Sequence, residues 1–401
     1  MARAETRRDE CLGMTRPIVV LAVIASITAG CAGRPTGNLV PISARSPGTS
    51  VDLLVATTRA DAIEPPSGVM FSGERGRGLR FADIVVSVPP DSQRKAGEVQ
   101  WPSTPPGDPA HDFVTLRADK LDLKQAIADF DRRVAAAPDA HVLIFVHGYN
   151  TRFEEAVYRY AQIVHDSGAS VVPVLFTWPS RGRLLEYVYD RESALYSRDA
   201  LETVLAAMAR NKRVKSISIL AHSMGNFLTV ETLRQMAIRD HALPPKISDI
   251  MLASPDIDVD VFRRQIAEIE ASDKNPPVTL FVSQDDRALG FSSRIAGDAP
   301  RLGAIDPTAE PFRSILEQAH VHVIDLTKID SDDPTNHSKF ATSAFVKQIG
   351  RRLASGQTLT DAKTPLSQTV AGAATTITST AAMVVTTPLS LFDSSAGPAA
   401  Q

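Results

Sequence analysis

The sequence predicts an α/β protein with a mostly parallel central sheet of about eight strands and helices on both faces. Short β-branched runs alternate with longer stretches of helical apolar spacing from residue 142 onward. The runs 142–146 and 217–220 suit central strands buried on both faces. The composition, 43% hydrophobic and 22% charged over 401 residues, supplies ample material for a core. Length alone allows one large domain or two. A single domain is assigned to 51–355.

The N-terminus reads as a targeting segment. Arg7, Arg8 and Arg16 precede an apolar run, 18–27, that is too short to span a bilayer but suits the core of an export signal. It ends in Thr28-Ala29-Gly30-Cys31. Small residues before a cysteine resemble the lipobox of bacterial lipoproteins, with Thr28 where Leu is usual. That resemblance implies cleavage after residue 30, acylation of Cys31, and a lipid-anchored protein facing the periplasm from the cell envelope. Ala32 in place of Asp favours the outer membrane. Met14 is an alternative start to Met1. Residues 31–50, rich in Gly, Pro, Ser and Arg, read as a flexible tether.

The chain has two cysteines, Cys11 and Cys31, both ahead of the expected domain. That excludes a disulfide framework inside it and argues against a Cys-based zinc site. A formal net charge of −3 gives no electrostatic argument for nucleic acid. No metal or organic cofactor is expected.

Along the chain, strands are expected at 51–57, 84–88, 142–146, 171–176, 217–220, 247–252, 278–282 and 321–326. Helices are expected at 153–167, 191–210, 226–239, 259–269, 291–296 and 338–353. The first two strands lack a helix between them and suit an antiparallel edge. Residues 60–80, with Pro65-Pro66 and Gly73, Gly76 and Gly78, read as an irregular loop. The 356–401 tail is rich in Ala, Thr, Ser and Gly. It reads as a low-complexity segment, or as a surface helix from Val370, Ile377, Val384 and Leu391 at seven-residue spacing.

The sharpest chemical signal is Ala221-His222-Ser223-Met224-Gly225-Asn226, where a buried strand runs into a small-x-Ser-x-Gly turn and then a helix. Serine is a poor nucleophile at its free pKa, so the turn must hold its hydroxyl out toward a base. The crowded backbone needs small residues two positions either side, and Ala221 and Gly225 supply them. Ser223 is therefore the candidate nucleophile. Phe145-Val146-His147-Gly148-Tyr149-Asn150 ends an earlier strand. In α/β hydrolases a His-Gly there opens the oxyanion loop, which makes the backbone N–H groups of Tyr149 and Met224 the candidate donors. His147 itself suits a structural role orienting that loop, and His222 a packing role.

This fold expects Ser, then an acid, then His along the chain. Of the histidines after Ser223, His241 reads as surface, and His320 and His322 as alternating on the last strand. His337 lies in a loop after that strand, where a base belongs. The candidate acid follows the preceding strand: Asp286, with Asp285 next and Asp256 a third option. Asp258 is expected to cap a helix.

With these residues placed, the chain resembles the bacterial α/β-hydrolase family DUF900 from about 50 to 355. The resemblance rests on Ala56-Thr57-Thr58-Arg59, Gly73-Glu74-Arg75-Gly76, Val146-His147-Gly148-Tyr149-Asn150, Trp178-Pro179-Ser180, Ala221-His222-Ser223-Met224-Gly225-Asn226, Ser254-Pro255-Asp256-Ile257-Asp258 and Ser283-Gln284-Asp285-Asp286-Arg287-Ala288-Leu289. It implies the α/β-hydrolase fold, supports Asp286 over Asp285, and supplies no substrate. By analogy Trp178 and Tyr187 lie near the cleft or pack beneath it. The expectation is an esterase- or lipase-type serine hydrolase acting on a small-molecule or lipid ester, with no evident long lid helix. The alternative is a non-catalytic envelope protein using the fold as a binding scaffold.

Overall fold

The computed structural model describes residues 36–43, 46–63, 68–271, 275–342, 345–347 and 349–350. The expected signal segment, Cys31 and the 356–401 tail lie outside them.

Nine strands form one sheet in the order β3-β2-β1-β5-β4-β6-β7-β8-β9. The strands are β1 (Thr49–Asp61), β2 (Phe71–Val88), β3 (Val114–Leu121), β4 (His141–Val146), β5 (Val172–Thr177), β6 (Ser216–His222), β7 (Ile247–Ala253), β8 (Val278–Val282) and β9 (His322–Asp325). β1, β2 and β3 pair antiparallel, and from β1 through β5 to β9 every pairing is parallel. The antiparallel edge expected of the first two runs is present, with β3 as a strand the sequence reading missed.

Alternation along the central strands divides the core in two. Val142, Ile144, Val146, Ile217 and Ile219 face one side with α1 (Leu123–Ala136), α4 (Arg198–Arg210), α5 (Met224–Asp240) and α6 (Val259–Glu270). Leu143, Phe145, Leu220 and Phe281 face the other with α2 (Phe153–Ser167) and Phe345, Val346 and Ile349 of the final helical residues. Three further helices are described: α3 (Tyr187–Tyr196), α7 (Arg287–Ile295) and α8 (Phe312–Gln318). Helix α1, also not anticipated, starts in a reciprocal capping box, with Asp122 accepting from Gln125 N–H and the Gln125 side chain accepting from Asp122 N–H.

Four expectations need correction. Residues 71–80, read as irregular loop, are the first half of β2. Two of their three glycines serve close approach: a Cβ at Gly73 would lie 2.7 Å from Arg181 Cα, and one at Gly76 2.7 Å from the Arg59 carbonyl. The tether expected over 31–50 is ordered from Asn38 to Ile42, with Leu39 buried and Ile42 N–H donating to Thr115 O at 2.9 Å. The backbone polar groups of that Gly- and Pro-rich stretch find partners on Thr115 of β3, at Gly68 O and on Tyr158 of the helix at 153–167, which sequence alone did not reveal. The helix expected at 191–210 is two helices divided at Ser197, whose hydroxyl donates back to Ser193 O and meets Thr58 Oγ1. His320 precedes β9 at a φ of 44°, so it does not alternate with His322 on that strand.

Candidate active site

Ser223, Asp286 and His337 all lie just past strand C-termini or in the loop after β9, on one edge of the sheet. β6 ends at His222 and α5 begins at Met224, so Ser223 alone makes the turn. Its φ of 53° and ψ of −123° are a strained combination for a non-glycine residue, of the kind kept only where the surroundings enforce it. The enforcement is visible. Ser223 N–H donates to Ala253 O at 3.0 Å, and Ser223 O accepts from the N–H groups of Asn226 and Asp256. The Asn226 amide spans Ser223 O at 3.0 Å and Ala253 O at 2.7 Å.

The oxyanion loop presses directly on this turn. A Cβ on Gly148 would lie 2.7 Å from Ser223 Cβ, and one on Gly225 2.4 Å from His147 O. Only glycine permits that approach. Neither Tyr149 N–H nor Met224 N–H finds an acceptor among the described residues. Met224 is the first residue of α5, where N–H groups are free and the helix dipole favours negative charge.

His337 Nδ1 donates to Asp286 Oδ2 at 2.7 Å. Asp286 Oδ1 accepts Leu289 N–H at 3.0 Å and caps α7, so each carboxylate oxygen has its own task. Burial opposes charge on His337, but the Asp286 carboxylate, with Asp256 and Asp333 adding to it, outweighs burial and lifts the imidazole above its ordinary value. With Nδ1 carrying the proton, Nε2 is left as the acceptor.

Asp285 does something different. It accepts both Asn336 Nδ2 at 2.9 Å and the buried Lys339 ammonium at 2.8 and 2.9 Å. It thereby grips the loop on either side of His337. Burial pushes the Asp285 carboxyl up, and Lys339 pulls it below its usual range. Asp333 adds a third hold, accepting the N–H groups of Thr335, His337 and Ser338.

The Ser254-Pro255-Asp256 segment connects the two halves. Ser254 Oγ donates to His337 O at 3.3 Å, while Asp256 N–H donates to Ser223 O at 3.2 Å. The Asp256 carboxylate takes Tyr187 Oη at 3.0 Å, the Ser292 hydroxyl and the Arg301 guanidinium. Asp258 caps α6 through Asp260 and Val261 N–H. His222 donates from Nε2 to His337 O at 3.2 Å, and its ring lies between those of His337 and Phe340. Read from sequence as a packing residue, His222 also supports the His337 loop. Burial first, then the neighbouring His337, holds His222 neutral.

His147 lies under the oxyanion loop. Nδ1 donates to Gly148 O at 2.8 Å, Nε2 accepts Trp178 N–H at 3.2 Å, and the ring stacks on Trp178. Burial, with Arg59 beside it, lowers its pKa to about 3. Trp178 is fully buried and its indole N–H donates to His147 O, which places it beneath the loop rather than on a cleft wall. Tyr187 is buried edge-on to the Tyr149 ring, at 5.2 Å between centroids.

Sequence reasoning assigned no role to Arg59 or Asp190, which hold the oxyanion loop from behind. Register shifts on either side of Arg59 interrupt the β1–β2 ladder, and its side chain is buried. It donates to Ser180 O and Thr151 O, each at 2.8 Å, and to Ser72 O at 3.2 Å, with His147 Nε2 at 3.4 Å. Burial, only partly offset by Asp190 and the more distant Glu154, lowers its pKa to about 10. Asp190 accepts Asn150 N–H, Arg181 N–H and Ser180 Oγ. The available signal was a cation, Arg59, soon after the apolar run Leu53-Leu54-Val55-Ala56 of β1.

The sheet order, the strained serine turn and the strand-end placement of the histidine and its carboxylate define an α/β hydrolase. The chain belongs to the DUF900 family, alpha/beta hydrolases of unknown function, whose model matches residues 123–354. It is 26% identical over 121 residues to the uncharacterized protein alr1448 of Nostoc sp., covering 24% of this chain and 32% of that protein. Among solved structures, brefeldin A esterase, a bacterial homologue of human hormone sensitive lipase, is similar at a TM-score of 0.36 and 12% identity, covering 87% of this chain and 88% of that one. Carboxyl esterase 2 of the fungus Tuber melanosporum is similar at a TM-score of 0.33 and 12% identity, covering 84% and 98%. A lipase-esterase related protein of Clostridium acetobutylicum is similar at 0.31 and 11% identity, covering 54% and 94%. The family match, not these, carries the assignment. Among the described residues, no helix is long and apolar enough to cross a membrane.

Proposed function

We propose that the protein is a serine hydrolase that cleaves a carboxylic ester through an acyl-enzyme on Ser223. The observation that carries this is the His337–Asp286 hydrogen bond, made by a loop that is itself bonded to His222, the neighbour of Ser223. His337 Nε2 takes the Ser223 proton as Oγ attacks the ester carbonyl. The N–H groups of Tyr149 and Met224 receive the negative charge on the tetrahedral oxygen. Collapse expels the alcohol, protonated by His337, and water then repeats the sequence to release the acid. A fluorophosphonate probe is expected to label the wild-type chain and not Ser223→Ala. A folded wild-type chain that stays unlabelled would leave the scaffold reading in its place.

The sequence supports a second proposal, about place: acylation at Cys31 holds the protein to a bacterial envelope membrane facing the periplasm, without a transmembrane helix. Cys31→Ser is expected to move it from the membrane to the soluble fraction on cell fractionation. Retention of Cys31→Ser with the membranes would overturn acylation as the anchor.

A further inference from the structure

Ester cleavage at Ser223 leaves the acyl chain one direction to take. In the tetrahedral adduct the carbon carries Ser223 Oγ, the oxygen received by Tyr149 and Met224 N–H, the alcohol that His337 must protonate, and the chain itself. The chain therefore points away from His337. The His222 ring lies between those of His337 and Phe340, and Phe340 belongs to the core on one face of the sheet. Met224 and Tyr187 belong to the core on the other face. Tyr187 stands on that side with its ring edge-on to Tyr149. Ser223 itself is 3% exposed, so the approach to it is narrow.

Tyr187 is clamped in place. Its Oη donates to Asp256 Oδ2 and meets Ser292 Oγ of α7, each at 3.0 Å. Ser292 Oγ donates to Asp256 Oδ1, and Arg301 Nε pairs with that same oxygen at 3.3 Å. One buried carboxylate thus ties the start of α3 to α7. The segments that carry Asp256 and Arg301 are themselves stitched together. Gly303 N–H donates to Pro255 O and Leu302 N–H to Ile257 O, each at 2.9 Å. A Cβ on Gly303 would lie 2.6 Å from Pro255 N, so the two segments are in direct contact. An acyl chain long enough to push Tyr187 aside would strip the buried carboxylate of a donor, and a buried acceptor left unsatisfied costs its full desolvation.

We propose that Tyr187, clamped by Asp256, closes the acyl pocket, so that the substrate of this enzyme is an ester of a short-chain acid. The substrate class rests on the hydrolase reading. The test measures kcat/KM of the full-length chain on p-nitrophenyl butyrate and octanoate, beside labelling by a fluorophosphonate. The wild type is expected to prefer butyrate by about tenfold or more. Tyr187→Ala removes the ring and should cut that preference about tenfold. Tyr187→Phe keeps the ring but releases it from Asp256, and should cut the preference about threefold, a readout that stands even if the alanine chain does not fold. Melting curves show which variants are folded. A wild type that is labelled yet cleaves octanoate as readily as butyrate overturns the proposal and leaves the hydrolase reading standing. Folded variants that keep the wild-type preference overturn it as well. A relaxed Tyr187→Ala beside an unchanged Tyr187→Phe would keep the ring as the stop and overturn the clamp. A folded wild type that is never labelled removes the hydrolase reading, and the substrate class falls with it.

Discussion

Asp286→Asn is expected to lower kcat on an activated ester by about four orders of magnitude and to shift the acid limb of the pH profile downward. Asp286 Oδ2 accepts the Nδ1 proton of His337. An amide can turn its NH2 to that nitrogen instead, which puts the proton on Nε2 and removes the acceptor that Ser223 needs. Asn remains a good N-cap, so α7 is expected to persist and the loss should be kinetic. In the wild type, Asp286 raises His337 against the opposing effect of burial. The neutral base is therefore gained only above the ordinary histidine value of ~6.5. Without Asp286, burial is opposed only by the lesser pull of Asp256 and Asp333, and that limb falls. The stability linkage has the opposite sense. A histidine raised in the folded state stabilises fully below its unfolded value and loses that contribution as pH rises through the folded one. Melting midpoints of the wild type should thus decline from about pH 6.5 upward relative to Asp286→Asn.

Asp285→Asn is the control, because it sits one residue away and bears on the same loop. It removes the carboxylate from a buried lysine but leaves the imidazole its partner. Since Asp285 is partly exposed, a stability loss of about 1–3 kcal/mol is expected, with the acid limb of the profile unmoved. Equal kinetic defects in the two variants would sink the assignment of Asp286.

The contrast between these two aspartates shows what a sequence can and cannot display. A nucleophile turn has to be built from neighbours in the chain. Strand, Ala221, Ser223, Gly225 and helix could therefore be read in line, and so could the strand-end positions of Asp286 and His337. Asp285 and Asp286 are equivalent by position. What separates them is Lys339, 54 residues on, which only the fold brings to Asp285. Arg59 was equally silent, since its partners lie between 13 and 121 residues away. The loop expected at 60–80 failed for a related reason. Its glycines signal a turn when read locally, whereas Gly73 and Gly76 sit in β2 because Arg181 and Arg59 approach there. The ordered stretch around Leu39 likewise depends on β3, whose own sequence gave no strong period.

Arg59→Met is expected to destabilise the protein by roughly 2–4 kcal/mol and to lower kcat by about 10²–10³ with little change in KM. Arg59 is bonded to Thr151 O and lies against His147, so it brackets the residues carrying the Tyr149 N–H. It also fixes Ser180, whose hydroxyl accepts Thr151 N–H from the other side. Methionine fills the space but leaves three carbonyls without their donor. The loop is then free to drift from Ser223, which it meets at van der Waals distance through Gly148. Arg59→Lys keeps the charge but has no planar fork to reach Ser180 O and Thr151 O together, so an intermediate loss is expected. Titration with a fluorophosphonate separates misplacement from unfolding. A variant that merely unfolds loses labelled sites in proportion to activity and keeps its kcat per labelled site. A displaced loop keeps the sites and loses the rate at each of them. Wild-type turnover per labelled site in Arg59→Met, alongside a lowered melting point, would mean that the loop holds its own shape and the buried cation serves stability alone.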